Sequence, residues 1–198
     1  PPEEADLAIV FIESPITDGG YSGEEAAAGG NGYLPITLQY RPYQANTARQ
    51  PSIAGGDFRE DFTDRSYRGK TGTAANEADL DLVLDTRAAM GDKPVIVCLR
   101  MHNPTVLSEL EPAADAILID FGVQKQVLLD LICGKAEPSA LLPVELPASM
   151  ETVEAHCEDK PFDYEVYVDS EGHAYGYAYG LNWQGVIEDE RTHLYPKH

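Results

Sequence analysis

Apolar residues gather into short unbroken runs, and the stretches between the runs repeat at a helical period. Leu7-Ala8-Ile9-Val10-Phe11-Ile12 is the first run, short and rich in β-branched residues. Such a run predicts a strand buried on both faces, as in a parallel sheet. Pro94-Val95-Ile96-Val97-Cys98-Leu99 and Ala116-Ile117-Leu118-Ile119-Asp120-Phe121 predict two more strands of the same kind. A helix is expected after Asn76, which reads as an N-cap with Asp79 three residues on. Its inner face is Leu80, Val83, Leu84 and Ala88, and Gly91 ends it. Asn103-Pro104 reads as a cap with proline at the first helical position, opening a short helix through Leu110. A further helix is expected at 124–133, with Val127, Leu128, Leu131 and Ile132 inward and Gly134 closing it. Residues 142–146 read as a short strand, placed at an edge by Pro143.

Strand and helix alternate at βαβ spacing, so the fold class is α/β. The expected architecture is a three-layer sandwich with a mostly parallel sheet and helices on both faces. Two regions depart from this rhythm. Residues 22–75 carry little periodicity and are punctuated by Gly29-Gly30-Asn31-Gly32 and Gly55-Gly56-Asp57, which marks a long loop insertion. From about 161 on, Val166 and Val168, then Tyr175, Tyr177 and Tyr179, alternate with polar or small residues. That texture predicts a C-terminal extended arm. The organisation is therefore residues 1–160 as the α/β domain and 161–198 as an arm packed on it.

Charge and cysteine usage narrow the function. The 198 residues hold 14 basic and 34 acidic side chains, a formal net charge of −20. A surface of that sign repels phosphate, which argues against nucleic-acid and anionic-membrane partners. No apolar run approaches the ~20 residues that span a bilayer. Cys98, Cys133 and Cys157 are odd in number and lack CxxC spacing, so they form no complete disulfide framework. Cys98 and Cys133 are expected in the core, and Trp183 likewise. The histidines make no HExxH or similar pattern, and no metal is expected. In open α/β sheets, ligands gather beyond the carboxyl ends of the strands. That picks out the loops at 13–33, 100–103 and 122–124. The first is the richest in carboxylates and glycines.

Four segments, taken in order, resemble the C-terminal α/β-sandwich domain of glycoside hydrolase family 3, the family of β-glucosidases, β-xylosidases and β-N-acetylglucosaminidases. They are Ala5-Asp6-Leu7-Ala8-Ile9-Val10-Phe11, then Lys93-Pro94-Val95-Ile96-Val97 with Asn103-Pro104. The third is Gly134-Lys135-Ala136-Glu137-Pro138-Ser139-Ala140-Leu141-Leu142-Pro143-Val144-Glu145-Leu146-Pro147. The fourth is Tyr175-Gly176-Tyr177-Ala178-Tyr179-Gly180-Leu181-Asn182-Trp183. Ala140 stands where the family usually has glycine, and Phe121-Gly122-Val123-Gln124 replaces a Pro-Gly-Gln-like turn.

The resemblance implies a retaining, exo-acting β-glycosidase acting on terminal β-linked sugars of an oligosaccharide or glycoside. Its nucleophile is an Asp on a preceding barrel, absent from this sequence, and no cofactor is needed. The family's acid/base lies in the loop after the first strand. On this chain that position falls on Asp18, where the family pattern has Glu. Glu13 is the fallback, and Glu24 and Glu25 are further substitutes in the loop. Gly19, Gly20 and Tyr21 are the implied substrate-binding residues. Tyr33, Tyr40, Arg41, Tyr43, Arg65, Tyr67 and Arg68 of the insertion are candidates to wall the sugar subsites, with a structural excursion or dimer contact as the alternative. A homo-oligomer is compatible with this, as is a periplasmic or extracellular location, although no secretion signal is visible. The chain starts without Met and reads as a fragment begun one strand late, expected to be inactive by itself. The shorter Asp18 also leaves room for a non-catalytic carbohydrate-binding or assembly module.

Overall fold

The computed structural model describes residues 2–17, 20–46, 67–156, 162–163 and 165–194. Asp18, Gly19, Arg65 and Cys157 lie outside the described residues. In chain order the elements begin with β1 (Ala8–Glu13), β2 (Gly20–Tyr21), α1 (Gly23–Ala27), β3 (Tyr33–Leu34), β4 (Tyr43–Gln44) and β5 (Thr71–Gly72). They continue with α2 (Glu77–Met90), β6 (Val95–Arg100), β7 (Ala116–Asp120), α3 (Lys125–Ile132), α4 (Met150–Ala155), β8 (Leu181–Asn182) and β9 (Gly185–Val186).

The three apolar runs become one parallel sheet in the order β1-β6-β7, with β6 central. Register aligns Val10 with Val97 and Ile117, and Ile12 with Leu99 and Ile119. These residues share one face because side chains alternate along a strand. Leu80, Val83 and Met90 of α2 pack against that face and close the main core with Leu107, Leu110 and Leu146. On the opposite face, Lys125 at the start of α3 holds its ammonium 4.8 Å from the centre of the Phe11 ring. α2 covers one face and the start of α3 reaches the other at Phe11, in keeping with the α/β sandwich expected from the pattern.

Burial on both faces holds only for β6, where Val95, Val97, Cys98 and Leu99 are all buried. On β1 only Val10 and Ile12 are buried, and on β7 only Asp120, because both are edge strands. On α2 the inner face is Leu80, Val83 and Met90; Leu84 and Ala88 are exposed. Arg87 occupies the turn between, donating from Nε to Ala113 O and pairing with Asp115. Residues 103–106 do not open a helix, since their backbone is spent on distant partners. Asn103 N donates to Ser14 Oγ and Val106 N to Leu38 O. Helical turns start only at Leu107–Glu109 and Glu111–Ala113, both 3-10.

Residues 142–146 join no sheet. They bend at Pro143-Val144 and bond to the arm instead, through Leu142 N to Tyr179 O at 2.7 Å and Leu146 N to Tyr175 O at 3.0 Å. Pro143 has no N–H to continue a ladder. The chain after Val166 also donates back, from Tyr167 N to Leu146 O at 2.8 Å. Cys133 is exposed because it is the residue that ends α3, just before Gly134 at φ +69°. Val127 and Trp183 are exposed too. Trp183 sits in the turn between β8 and β9, where no layer can cover it.

Two outcomes follow from this packing. Leu99 is fully buried on the central strand, so Leu99→Ala should cost about 2–5 kcal/mol in chemical denaturation; a loss under about 1 kcal/mol would contradict its place in the core. Asp115 accepts from Val95 N at 2.7 Å and pairs with Arg87, and these hold its carboxyl below the ordinary value of 3.8. A depressed carboxyl stabilises the fold above its unfolded pKa, and that contribution fades as pH drops through the folded value. The stability gap between wild type and Asp115→Asn should therefore be widest near neutral pH and shrink below pH 3.8. A gap that stays constant with pH would show that the pairing is not there.

Candidate functional site

Parallel strands end together, and the last residues of this sheet are charged. Glu13, Arg100 and Asp120 stand side by side at its carboxyl rim. Ser14, fully buried just beyond β1, ties the first two loops together. Its N–H donates to Arg100 O at 2.9 Å, and its Oγ accepts from the N–H groups of His102 at 3.0 Å and Asn103 at 3.4 Å. Asp120 Oδ1 accepts from Gly122 N at 2.7 Å and Val123 N at 3.1 Å, fixing the third loop. Gly122 is at φ +104°, and a Cβ there would stand 3.2 Å from an Arg100 guanidinium nitrogen. The three loops expected from the strand pattern thus meet at one rim.

Glu13 is gripped by its backbone. Its N–H donates to Asp79 Oδ2 at 3.1 Å, and its carbonyl accepts from Tyr40 OH at 2.7 Å and Asn76 Nδ2 at 3.1 Å. The carboxylate itself is half exposed, with Oε2 3.6 Å from His102 Nε2. Asn76 does not cap α2 with its side chain, because that amide is engaged with the loop after β1.

Further along the loop, Gly20 at φ +119° and Tyr21 form β2, which pairs with β3. Tyr21 is exposed, and its ring meets Tyr33 edge-on with centroids 5.6 Å apart. The backbone of Gly32 lies against the Tyr21 ring, where a Cβ would come within 2.4 Å. Glu24 is exposed at the first turn of α1. Glu25 is held on both oxygens, Oε1 by Lys70 Nζ at 2.6 Å and Oε2 by Gly32 N. The Lys70 hydrogen bond, more than any other contact, keeps the Glu25 carboxyl below its usual range. A general acid needs the opposite displacement, so Glu25 is a poor proton donor.

Several insertion residues that sequence suggested as subsite walls serve the fold instead. Tyr40 is fully buried beneath Glu13. Tyr43 is buried, and its hydroxyl donates to Glu154 Oε2 at 2.9 Å. Arg41 reaches Glu77 and Asp81 on α2, each at 2.6 Å. Ser14 and Arg100 lie in loops the sequence picked out but had no signal of their own, and Lys70 had none either. Only Asn76 carried a signal, and that signal pointed to the helix behind it. Among the described residues, no group of three or more His, Cys, Asp or Glu is placed to hold a metal ion. No described helix is long and apolar enough to cross a membrane.

The sequence is similar to those of several known proteins. Beta-glucosidase C of Emericella nidulans is 39% identical over 91 residues, covering 46% of this chain and 14% of that protein. A periplasmic beta-glucosidase/beta-xylosidase of Dickeya chrysanthemi is 29% identical over 102 residues, covering 52% of this chain and 15% of that protein. A putative beta-xylosidase of Formosa agariphila is 31% identical over 108 residues, again covering 52% of the chain and 14% of the relative. The matched stretch is thus about a seventh of each relative's length. The sequence profile of the Glycosyl hydrolase family 3 C-terminal domain matches residues 2–183, and the chain belongs to that family.

Proposed function

We propose that this domain is the C-terminal part of a retaining, exo-acting β-glycosidase of the β-glucosidase type, and that it supplies the acid/base loop and one wall of the sugar pocket. The observation that carries this reading is the family match over 2–183 on a fold whose strand ends converge on a carboxylate-bearing loop. The partner is a barrel carrying the nucleophilic Asp, and the substrate is a glycoside or oligosaccharide with a terminal β-linked sugar.

Retaining hydrolysis needs two carboxyl groups about 5–5.5 Å apart across the sugar. The barrel Asp attacks the anomeric carbon while the loop acid protonates the departing glycosidic oxygen. The loop carboxylate then takes a proton from water, which displaces the sugar from the Asp. Asp18 is assigned the acid/base role, with Gly19, Gly20 and Tyr21 against the sugar. Glu13 is the fallback, supported by its half-exposed carboxylate at the rim beside His102. A periplasmic or extracellular setting is proposed from the name of the Dickeya relative.

Leaving-group dependence tests the assignment, because an acid matters most when the leaving oxygen is basic. In the barrel-containing enzyme, Asp18→Asn should lower kcat/KM on an alkyl β-glucoside by about 10²–10⁴-fold. An activated nitrophenyl β-glucoside should be affected far less. If Glu13→Gln shows that pattern and Asp18→Asn does not, the fallback holds the role. If neither they nor Glu24→Gln shows it, the domain is a non-catalytic carbohydrate-binding or assembly module, the reading favoured by Asp in place of the family's Glu. The 198-residue chain alone should hydrolyse an aryl β-glucoside no faster than its Asp18→Asn variant.

A further inference from the structure

The segment from Lys70 to Asp79 returns to the sheet after the long insertion, and its polar groups converge on one target. At its far end, Asn76 turns its amide to the chain leaving β1, with Nδ2 also donating to Asp79 Oδ2 at 2.9 Å. Oδ1 accepts from Ile16 N at 2.7 Å, and Nδ2 donates to the carbonyls of Glu13 and Ser14, both at 3.1 Å. Ala75 N adds a bond to Ile16 O at 2.7 Å, and Asp79 takes the Glu13 N–H. Both backbone groups of Glu13, both of Ile16 and the carbonyl of Ser14 are therefore held by side or main chain from 75–79.

At its near end the segment holds the other side of the same loop. An ammonium has three protons to give, and Lys70 Nζ donates to Glu25 Oε1 at 2.6 Å, Asn31 Oδ1 at 2.7 Å and Tyr33 O at 2.8 Å. Glu25 in turn binds Gly32 N. Four residues of the Tyr21–Tyr33 hairpin region thus hang on one part-buried lysine. The segment is itself anchored independently of the loop. β5 pairs with β4, and Ala45 N donates to Lys70 O at 3.0 Å.

Both grips are polar and stand outside the two apolar clusters. Lys70 lies in neither apolar cluster, and the α2 face that closes the sheet is Leu80, Val83 and Met90. What the two grips share is the stretch between them, which enters at Glu13 and leaves at Tyr33. The geometry points to Lys70, acting through Glu25, and Asn76 as positioning residues for the acid/base step, holding the two flanks of the loop after β1 at Glu13–Ile16 and Glu25–Tyr33. This rests on the acid/base reading above. A displacement of ~1 Å at a reacting group is enough to cost about a hundredfold in rate, which is the scale such a grip controls.

The test is made in the barrel-containing enzyme with Lys70→Met, which keeps the length of the side chain and removes its charge. Expected is a fall of about ten- to a hundredfold in kcat on an alkyl β-glucoside, with less than about threefold on the nitrophenyl glycoside and little change in either KM. Glu25→Gln should give the same split. The double variant should be no worse than the poorer single one, because both act through one pair. Glu25→Gln also serves alone if Lys70→Met yields no folded protein. Equal losses on both glycosides, or a lowered Tm with kinetics unchanged, overturn the positioning role and leave Lys70 as a structural tie. If Asp18→Asn, Glu13→Gln and Glu24→Gln all lack leaving-group dependence, the acid/base reading falls and takes this one with it. If one of them shows it and Lys70→Met does not, positioning alone is refuted.

Discussion

Val10 beside Val97 and Ile12 beside Leu99 place four apolar side chains on one face of two parallel strands, and water is excluded from that face only when α2 lies across it. Parallel pairing requires a long crossover, since the chain must cross from one end of the sheet to the other before the next strand can begin, and between β1 and β6 that crossover supplies α2. The same geometry sends Glu13, Arg100 and Asp120 to a single rim. A sheet in this register cannot bury its valines without also collecting its terminal charges at one edge, so the candidate chemistry is a by-product of core packing.

A second constraint operates above the rim. Glu13 lies on an edge strand, and its outward N–H and C=O have no neighbouring strand to meet them. Backbone groups in that position need partners. Asp79, Asn76 and Tyr40 provide them, and each comes from beyond the loop that Glu13 begins. The long insertion is therefore more than an excursion. Its first part sends Tyr40 under the strand end, with Glu109 accepting from the N–H groups of Tyr40 and Arg41 to hold that turn. Its last part brings Lys70 and the lead-in to α2.

Short-range patterns in the chain reported the sheet well, because strands and helices are written in residues that are neighbours. Three apolar runs became three strands, each displaced by one residue at most, and Gly91 and Gly134 did close their helices. Where the reading went astray, a residue obeyed a partner far away in sequence. Asn76 and Asp79 have the spacing of a helix cap, yet both side chains turn toward residues sixty positions earlier. Asn103-Pro104 has the look of a helix start, but the backbone of that turn belongs to Ser14 and Leu38. Leu84 and Val127 fit a helical period and still face outward, because the sheet beneath is only three strands wide. At the site, the loop was legible from its carboxylates and glycines. Ser14 and Lys70 were not, since a lone serine or lysine has no local signature for the contacts it makes in the fold.

The closure of β4 on β5 has a consequence that reaches beyond the two strands. Tyr43 faces Gly72, Gln44 faces Thr71, and the bond from Ala45 to Lys70 seals the mouth of everything between them. The strand pairing, not the length of chain between its two strands, sets where Lys70 stands. A change that opened β4 from β5 would therefore be felt at Glu25, Asn31 and Tyr33, which lie on neither strand.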